Sequence, residues 1–292
     1  MMLFCALLLL LPAGGFGAQR SILPDTLCLR YRFLPGDTLI YRVEAQDSIL
    51  IGQRAPLWRE RYELLWLICD SVGSDGTYWL RLIPTEFLAQ ERMDTLRSMR
   101  PESPCERRPT ILQLDSLGRR LEAHSPEGAS RVCPGGAFQL PFLIPLAEQC
   151  IRLHESWLLQ DSLELWENGT PAPRFLRTAL LRRFPSVDTL GFRCTAIEYV
   201  TTGTGWFVRD SLLSARAVVN AFGRFLLAAE GIPVWAYVTQ EIRLALSLEG
   251  REQHGLHYLN LWYRLQERRT NLRQSSSPAV PSVPHPARKS RR

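Results

Sequence analysis

From Leu39 the chain alternates. Leu39, Tyr41, Val43, Ala45, Ile49 and Ile51 fall on one parity; Thr38, Arg42, Glu44, Gln46 and Ser48 fall on the other, with Ile40 out of phase. A period of two over this length predicts a half-buried antiparallel strand, launched by the Pro35-Gly36-Asp37 turn. Arg59 to Ile83 reads as a hairpin, with Tyr62, Leu64, Trp66 and Ile68 on one face. Gly73 to Gly76 supplies its turn, and Tyr78, Leu80 and Leu82 its return. Pro84 to Met99 predicts a helix capped by Thr85, with Phe87, Leu88, Met93 and Leu96 as its apolar stripe. ILQLDSLGRRLEA, from Ile111, is a strand–turn–strand pattern around Leu117-Gly118, and FQLPFLIPLAEQC, from Phe138, is a connector with two prolines and one helical turn.

The second half repeats the style. Trp157, Leu159, Leu163 and Leu165 alternate before a turn at Glu167 to Thr170. RFLRTALLRRF and GFRCTAIEYV flank a turn at Val187 to Gly191, and Gly203-Thr-Gly205 and Gly223 read as further turns. In the longest signal Val234, Ala236, Val238, Ile242, Leu244, Leu246 and Leu248 alternate with Trp235, Tyr237, Thr239, Glu241 and Arg243. Strands at this spacing predict a mainly β fold: curved antiparallel sheets, half-barrel or sandwich-like, with one or two minor helices. Aligning Gly36-Asp-Thr-Leu39 with His154-Glu-Ser-Trp157 matches two strand openings and places SVGSDGTYW near SVDTLGFRC. The shared Gln46-Asp-Ser and Gln160-Asp-Ser demand a different register. The expectation is two similar β-units, 19–145 and 146–268, after a signal peptide at 1–18 and before a disordered Pro/Ser-rich basic tail at 269–292.

FLPGDTLIYR resembles the F-x-x-G-D-x-x-x-Y opening of uncharacterised families of exported bacterial β-proteins. LPFLIPLAEQCIRLHESW resembles their L-P…V-x-x-G-D-S-W segment, with His154 and Glu155 standing where that pattern has Gly-Asp. The resemblance implies a fold similar in style to the periplasmic lipoprotein-carrier half-barrels, whose curved sheet holds acyl chains.

The first residues, MMLFCALLLLLPAGGFGA, have an apolar core at Leu3 to Leu11, breakers from Pro12 to Gly15 and small residues suited to signal-peptidase cleavage. The protein is therefore expected in the periplasm or cell envelope, with an uncleaved N-terminal anchor as the alternative. No later run reaches the roughly 18–20 apolar residues of a membrane helix. Of the formal net charge of +6, Arg288, Lys289, Arg291 and Arg292 supply four, so the body offers no nucleic-acid footprint. That basic end is a candidate contact for an anionic membrane surface.

Exported chains favour disulfides, and removing Cys5 leaves Cys28, Cys69, Cys105, Cys133, Cys150 and Cys194. The hairpin between them brings Cys105 and Cys133 together as the preferred bridge. No CxxC spacing suggests zinc. His254-Gly-Leu-His257 reads as a turn entering a strand, where i and i+3 face opposite ways, so the two are expected to be exposed loop histidines rather than metal ligands. His154-Glu155-Ser156 reads as a strand-opening turn, Asp37 as a turn-former, and no G-x-S-x-G, phosphate loop or dinucleotide motif is present. Trp235 and Tyr237 point opposite to the apolar stripe of their strand, and with Trp206 and Trp262 they are the candidate ligand-binding aromatics. The sequence thus predicts a non-enzymatic envelope protein, without a cofactor, that binds a lipid-like ligand or a partner protein. The alternatives are a structural component of an envelope assembly and, last, an uncharacterised hydrolase.

Overall fold

The first alternating run is realised as one long strand, and almost every later run follows it. A computed structural model describes residues 26–103, 105–125, 135–165, 173–208 and 213–270. The first half holds β1 (Thr26–Leu27), β2 (Thr38–Ile51), β3 (Leu57–Val72), β4 (Tyr78–Met93), β5 (Leu96–Arg100), β6 (Thr110–Leu114) and β7 (Arg120–His124). The second holds β8 (Ile151–Arg152), β9 (Ser156–Glu164), β10 (Arg174–Thr189), β11 (Phe192–Val208), β12 (Leu213–Ala228), β13 (Pro233–Leu248) and β14 (Arg251–Arg269). Twelve of these strands form a single antiparallel sheet, in the order β7-β6-β4-β3-β2-β14-β13-β12-β11-β10-β9, with β5 also on β4; β1 and β8 pair separately. The two halves therefore share one sheet, joined where β2 pairs with β14. The sheet curves into a nearly closed half-barrel. Its edges approach where Arg120 of β7 donates to the Glu164 carbonyl of β9 at 3.3 Å.

The inner face carries Leu39, Tyr41, Val43 and Ala45 from β2, Val234, Ala236 and Val238 from β13, and Leu259, Leu261 and Tyr263 from β14, all buried. Two irregular segments fill the space they enclose. Leu29, Tyr31 and Phe33 enter from one, and Phe138, Leu140, Phe142, Leu143, Ile144, Leu146 and Ala147 from the other. The Phe142 ring lies 4.8 Å from Tyr41 and 4.4 Å from Tyr263, centroid to centroid. Tyr31 Oη donates to the Ile144 carbonyl at 2.9 Å and accepts from the Ile144 amide at 3.2 Å. A Cys28–Cys150 disulfide ties the two segments together.

Irregular backbone inside a core must have its polar groups satisfied. The Leu146 amide reaches the Leu117 carbonyl at 2.8 Å and the Leu140 amide reaches Gln240 Oε1 at 3.1 Å. Pro141 and Pro145 carry no donor to satisfy. The connector is thus an internal strap, with no helical turn in it. It occupies the space that the lipoprotein-carrier likeness reserved for acyl chains.

The helix expected from Pro84 is also absent, and no helix occurs among the described residues. Instead β4 runs through Pro84, which pairs with Leu65 beside a bulge that leaves Thr85 without a partner on β3, and the chain reverses at Asp94 (φ 53°) into β5. Phe87 and Ala89 alternate into the core with Gln90 exposed, so burial on a pleated surface overrides local helix preference. The face of β3 assigned to Tyr62, Leu64, Trp66 and Ile68 points outward, and Leu65, Leu67 and Cys69 carry its share of the core. Gly203, Gly205 and Gly223 lie within strands rather than turns. Aromatic rings lie over them, and a Cβ on Gly223 would sit 2.2 Å from the Tyr199 ring.

The two strand openings matched in sequence have the same geometry. The Leu34 amide donates to Asp37 Oδ2 at 3.0 Å, and the Arg152 amide to Glu155 Oε2 at 2.6 Å. Gly36 and Asp37 exchange backbone bonds with Cys69, and His154 and Glu155 do the same with Arg183. His154, at φ 64°, takes the left-handed position that Gly36 holds at φ 84°. Asp37 is the turn-former its position implied, and its Oδ2 also accepts from Arg268 Nη2 at 3.2 Å.

Candidate ligand-binding face

With the interior filled, the surface left open is the outer face of the sheet. Strand pairing places Leu158, Leu180, Val200 and Phe222 directly opposite one another across β9, β10, β11 and β12. They are 62%, 48%, 50% and 41% exposed. This row lines a depression of about 600 Å³ that continues past Thr239 and Glu241 to Tyr258 on β14. A second depression, of about 970 Å³, begins at the same Tyr258 and crosses β2, β3, β4 and β5. Its lining mixes polar, aromatic and aliphatic side chains, among them Gln46, Ser48, Trp58, Glu60, Arg92, Arg97 and the exposed Met99. The two share Tyr258 and together form a trough across the strands, apolar at the β9 end and carrying the charged side chains at the β5 end.

The structure brings three of the four candidate aromatics together. Trp235, Tyr237 and Trp262 stack on the outer face, with ring centroids 6.5 and 5.2 Å apart, and Tyr237 Oη donates to Asn260 Oδ1 at 3.4 Å. Trp235 and Tyr237 share the outer face of β13 with Thr239 and Glu241, and Trp262 lies opposite Tyr237 on β14, adjoining the trough along the strands. Trp206 is not part of this group; it stands on β11 opposite Arg216, beside a third depression lined by Val218, Arg243 and His254.

No family model and no curated relative matches this chain. Among solved structures, a chain described as "lipid-protein interactions in lipovitellin" matches with a TM-score of 0.44 and 13% identity, over 84% of this chain and 27% of that one. This chain thus spans little more than a quarter of that chain's length.

Sequence reasoning missed a charged cluster on the inner face. Asp47 is fully buried: its Oδ1 meets His257 Nε2 at 2.8 Å, and its Oδ2 accepts from Arg61 Nε at 2.9 Å and Arg59 Nε at 3.0 Å. Arg61 also pairs with Glu63, and Arg59 faces Glu91 at 3.7 Å. Burial alone would push the Asp47 carboxyl up, but Arg61, the His257 hydrogen bond and Arg59 outweigh it and hold it well below the usual carboxylate range. Arg61 Nη2 reaches Gln139 of the strap at 3.4 Å, and Gln139 Nε2 reaches Tyr263 Oη at 3.3 Å, so the cluster fastens the strap. His257 is therefore neither exposed nor in a loop. His254 is exposed on the opposite face of β14. The only sequence signal was parity, since Asp47 falls in phase with Val43 and Ala45. The Asp47–His257 pair resembles part of a catalytic relay, and its side chains are 0% and 5% exposed. Among the described residues no group of three or more His, Cys, Asp or Glu side chains could hold a metal.

The cysteines divide. Cys28 and Cys150 are bonded, and Cys105 is disulfide-bonded, while its expected partner Cys133 lies outside the described residues. Cys69 and Cys194 are free and buried, although the cysteine count of an exported chain favoured disulfides. Burial pushes their thiols up to about 12 and about 11, so neither behaves as a reactive thiolate. The basic tail residues Arg288 to Arg292 and the turn at 167–170 also lie outside the described residues.

Proposed function

We propose that this protein is a non-enzymatic binding protein of the bacterial cell envelope that holds a lipid-like ligand against the outer face of its sheet. The observation that carries the reading is the contiguous exposed row Leu158–Leu180–Val200–Phe222, seated in a depression rather than scattered. Exposed apolar side chains are ordinary singly, but a contiguous set rimmed by polar groups marks a binding surface. The Trp235–Tyr237–Trp262 stack extends the aromatic surface beside it. An oxidising location is supported by the Cys28–Cys150 disulfide and by the apolar N-terminal run.

Native mass spectrometry of protein purified from its host, before and after delipidation, tests the reading. A lipid-sized adduct that delipidation removes, and that a Leu180→Asp/Phe222→Asp variant never acquires, is expected. An adduct-free wild type would end it, and a fixed protein partner in place of lipid would transfer the face to the structural alternative.

A further inference from the structure

We infer that the ligand is an anionic amphiphile, its acidic head group held by Arg92 and Arg97 and its chain laid across the sheet toward the apolar row at Phe222. This deepens the reading above and rests on it. Arg92 on β4 and Arg97 on β5 are directly opposed in the ladder, and both are exposed at the polar end of the trough. Like charges directly opposite each other destabilise an antiparallel pair. Among the described residues neither arginine has an ion pair. The nearby Glu91 is engaged by Arg59 and Arg100 instead, and Glu60 makes no ion pair with either. Two uncompensated guanidinium groups at adjoining positions complement a carboxylate or phosphate, which accepts from both and removes the repulsion.

Trp58, 48% exposed, is directly opposite Arg92 and continues through Ser48 to Tyr258, 46% exposed, where the polar and apolar halves meet. Five strand spacings separate Arg92 on β4 from Phe222 on β12, about 24 Å along the sheet. Tyr258 stands between them. Among the acids lining the trough, Glu241 is already held by Arg243 at 2.6 Å. A molecule with a charged head and one long chain matches both ends of the trough; a wholly apolar ligand leaves the arginine pair unanswered.

The test uses a dansyl-labelled long-chain fatty acid, its uncharged methyl ester, and acetate, each titrated into delipidated full-length protein. The acid probe is expected to bind more tightly than the ester, and acetate not to compete. Arg92→Ala/Arg97→Ala should weaken the acid probe by about tenfold or more, consistent with losing charge-assisted hydrogen bonds, and leave the ester unchanged. Retained ester binding also shows that the variant is folded. Equal binding of acid and ester, or an unaffected double variant, overturns the head-group assignment and leaves the outer-face reading standing. Acetate competing as well as the acid probe reduces the site to an anion site and overturns the amphiphile. Failure of both probes to bind the wild type overturns the outer-face reading itself.

Discussion

Asp47→Asn removes one charge from a cluster that balances two buried arginines. The Asp47 side chain is 0% exposed and that of Arg61 2%, so solvent screening does not soften the loss. Deleting one partner of a buried ion pair costs about 3–5 kcal/mol, because the remaining charge is stranded. The cost should appear in urea unfolding at pH 7, followed by tryptophan fluorescence, as a lower midpoint with an unchanged slope. The pH dependence gives a second reading. The folded-state pKa of Asp47 is depressed, so its stabilisation is complete above the unfolded value and is lost as pH falls toward the folded one. With an unfolded pKa near 3.9, wild type should lose about 1 kcal/mol from this group between pH 5 and pH 3. The asparagine variant lacks that loss, so the gap between the two should narrow by the same amount. An equally stable variant at pH 7, or a gap constant from pH 5 to pH 3, would refute the assignment of Asp47 as the anionic centre of the cluster.

Phe142→Ala should cost about 3–5 kcal/mol by emptying the strap's deepest position, and should reduce the near-ultraviolet dichroism of the Tyr41–Phe142–Tyr263 cluster. Replacing Cys28 and Cys150 with serine opens a loop of 122 residues and should lower stability by about 2–5 kcal/mol. A non-reduced digest of wild type should contain the Cys28–Cys150 crosslink, with Cys69 and Cys194 alkylated only after unfolding. Gly223→Ala should destabilise by about 1–3 kcal/mol, because the new methyl meets the Tyr199 ring; a neutral result in thermal melts would show that the ring moves aside.

Strand parity was legible wherever one face is purely apolar. Val234 to Leu246, Leu39 to Ala45 and the turns at Gly36, Gly76, Gly118 and Gly191 stand where the alternation puts them. Parity misled where the core face is charged. On β3, Arg59 lies between Asp47 and Glu91 across the ladder, and Arg61 beside it pairs with Asp47 and Glu63; a single strand cannot reveal such neighbours. The Pro84–Met99 run contains good helix formers, and only its pairing with β3 makes it a strand. The outward aromatic face of β13 was readable, and with it the Trp235–Tyr237 pair. The trough was not, because it takes single outward positions from β2 to β5 and from β9 to β14, and only strand pairing sets them side by side. The strap was the least legible element: two prolines and a run of large apolar residues describe a connector equally well on the surface or inside a barrel.

The seam between β2 and β14 has a consequence for the order of assembly. Asp47 and His257, which meet across its neighbourhood, are 210 residues apart in sequence, and Arg268 reaches Asp37 over 231. During synthesis, β2 and β3 are available long before β14 exists, so the N-terminal sheet waits with an open edge on β2. Contacts of such separation form slowly, and an unpaired edge invites pairing with another chain in the interval. The charged side chains that β2 carries outward, Arg42 and Glu44, lie along that waiting edge and discourage such pairing. The barrel is fastened last at its oldest strand.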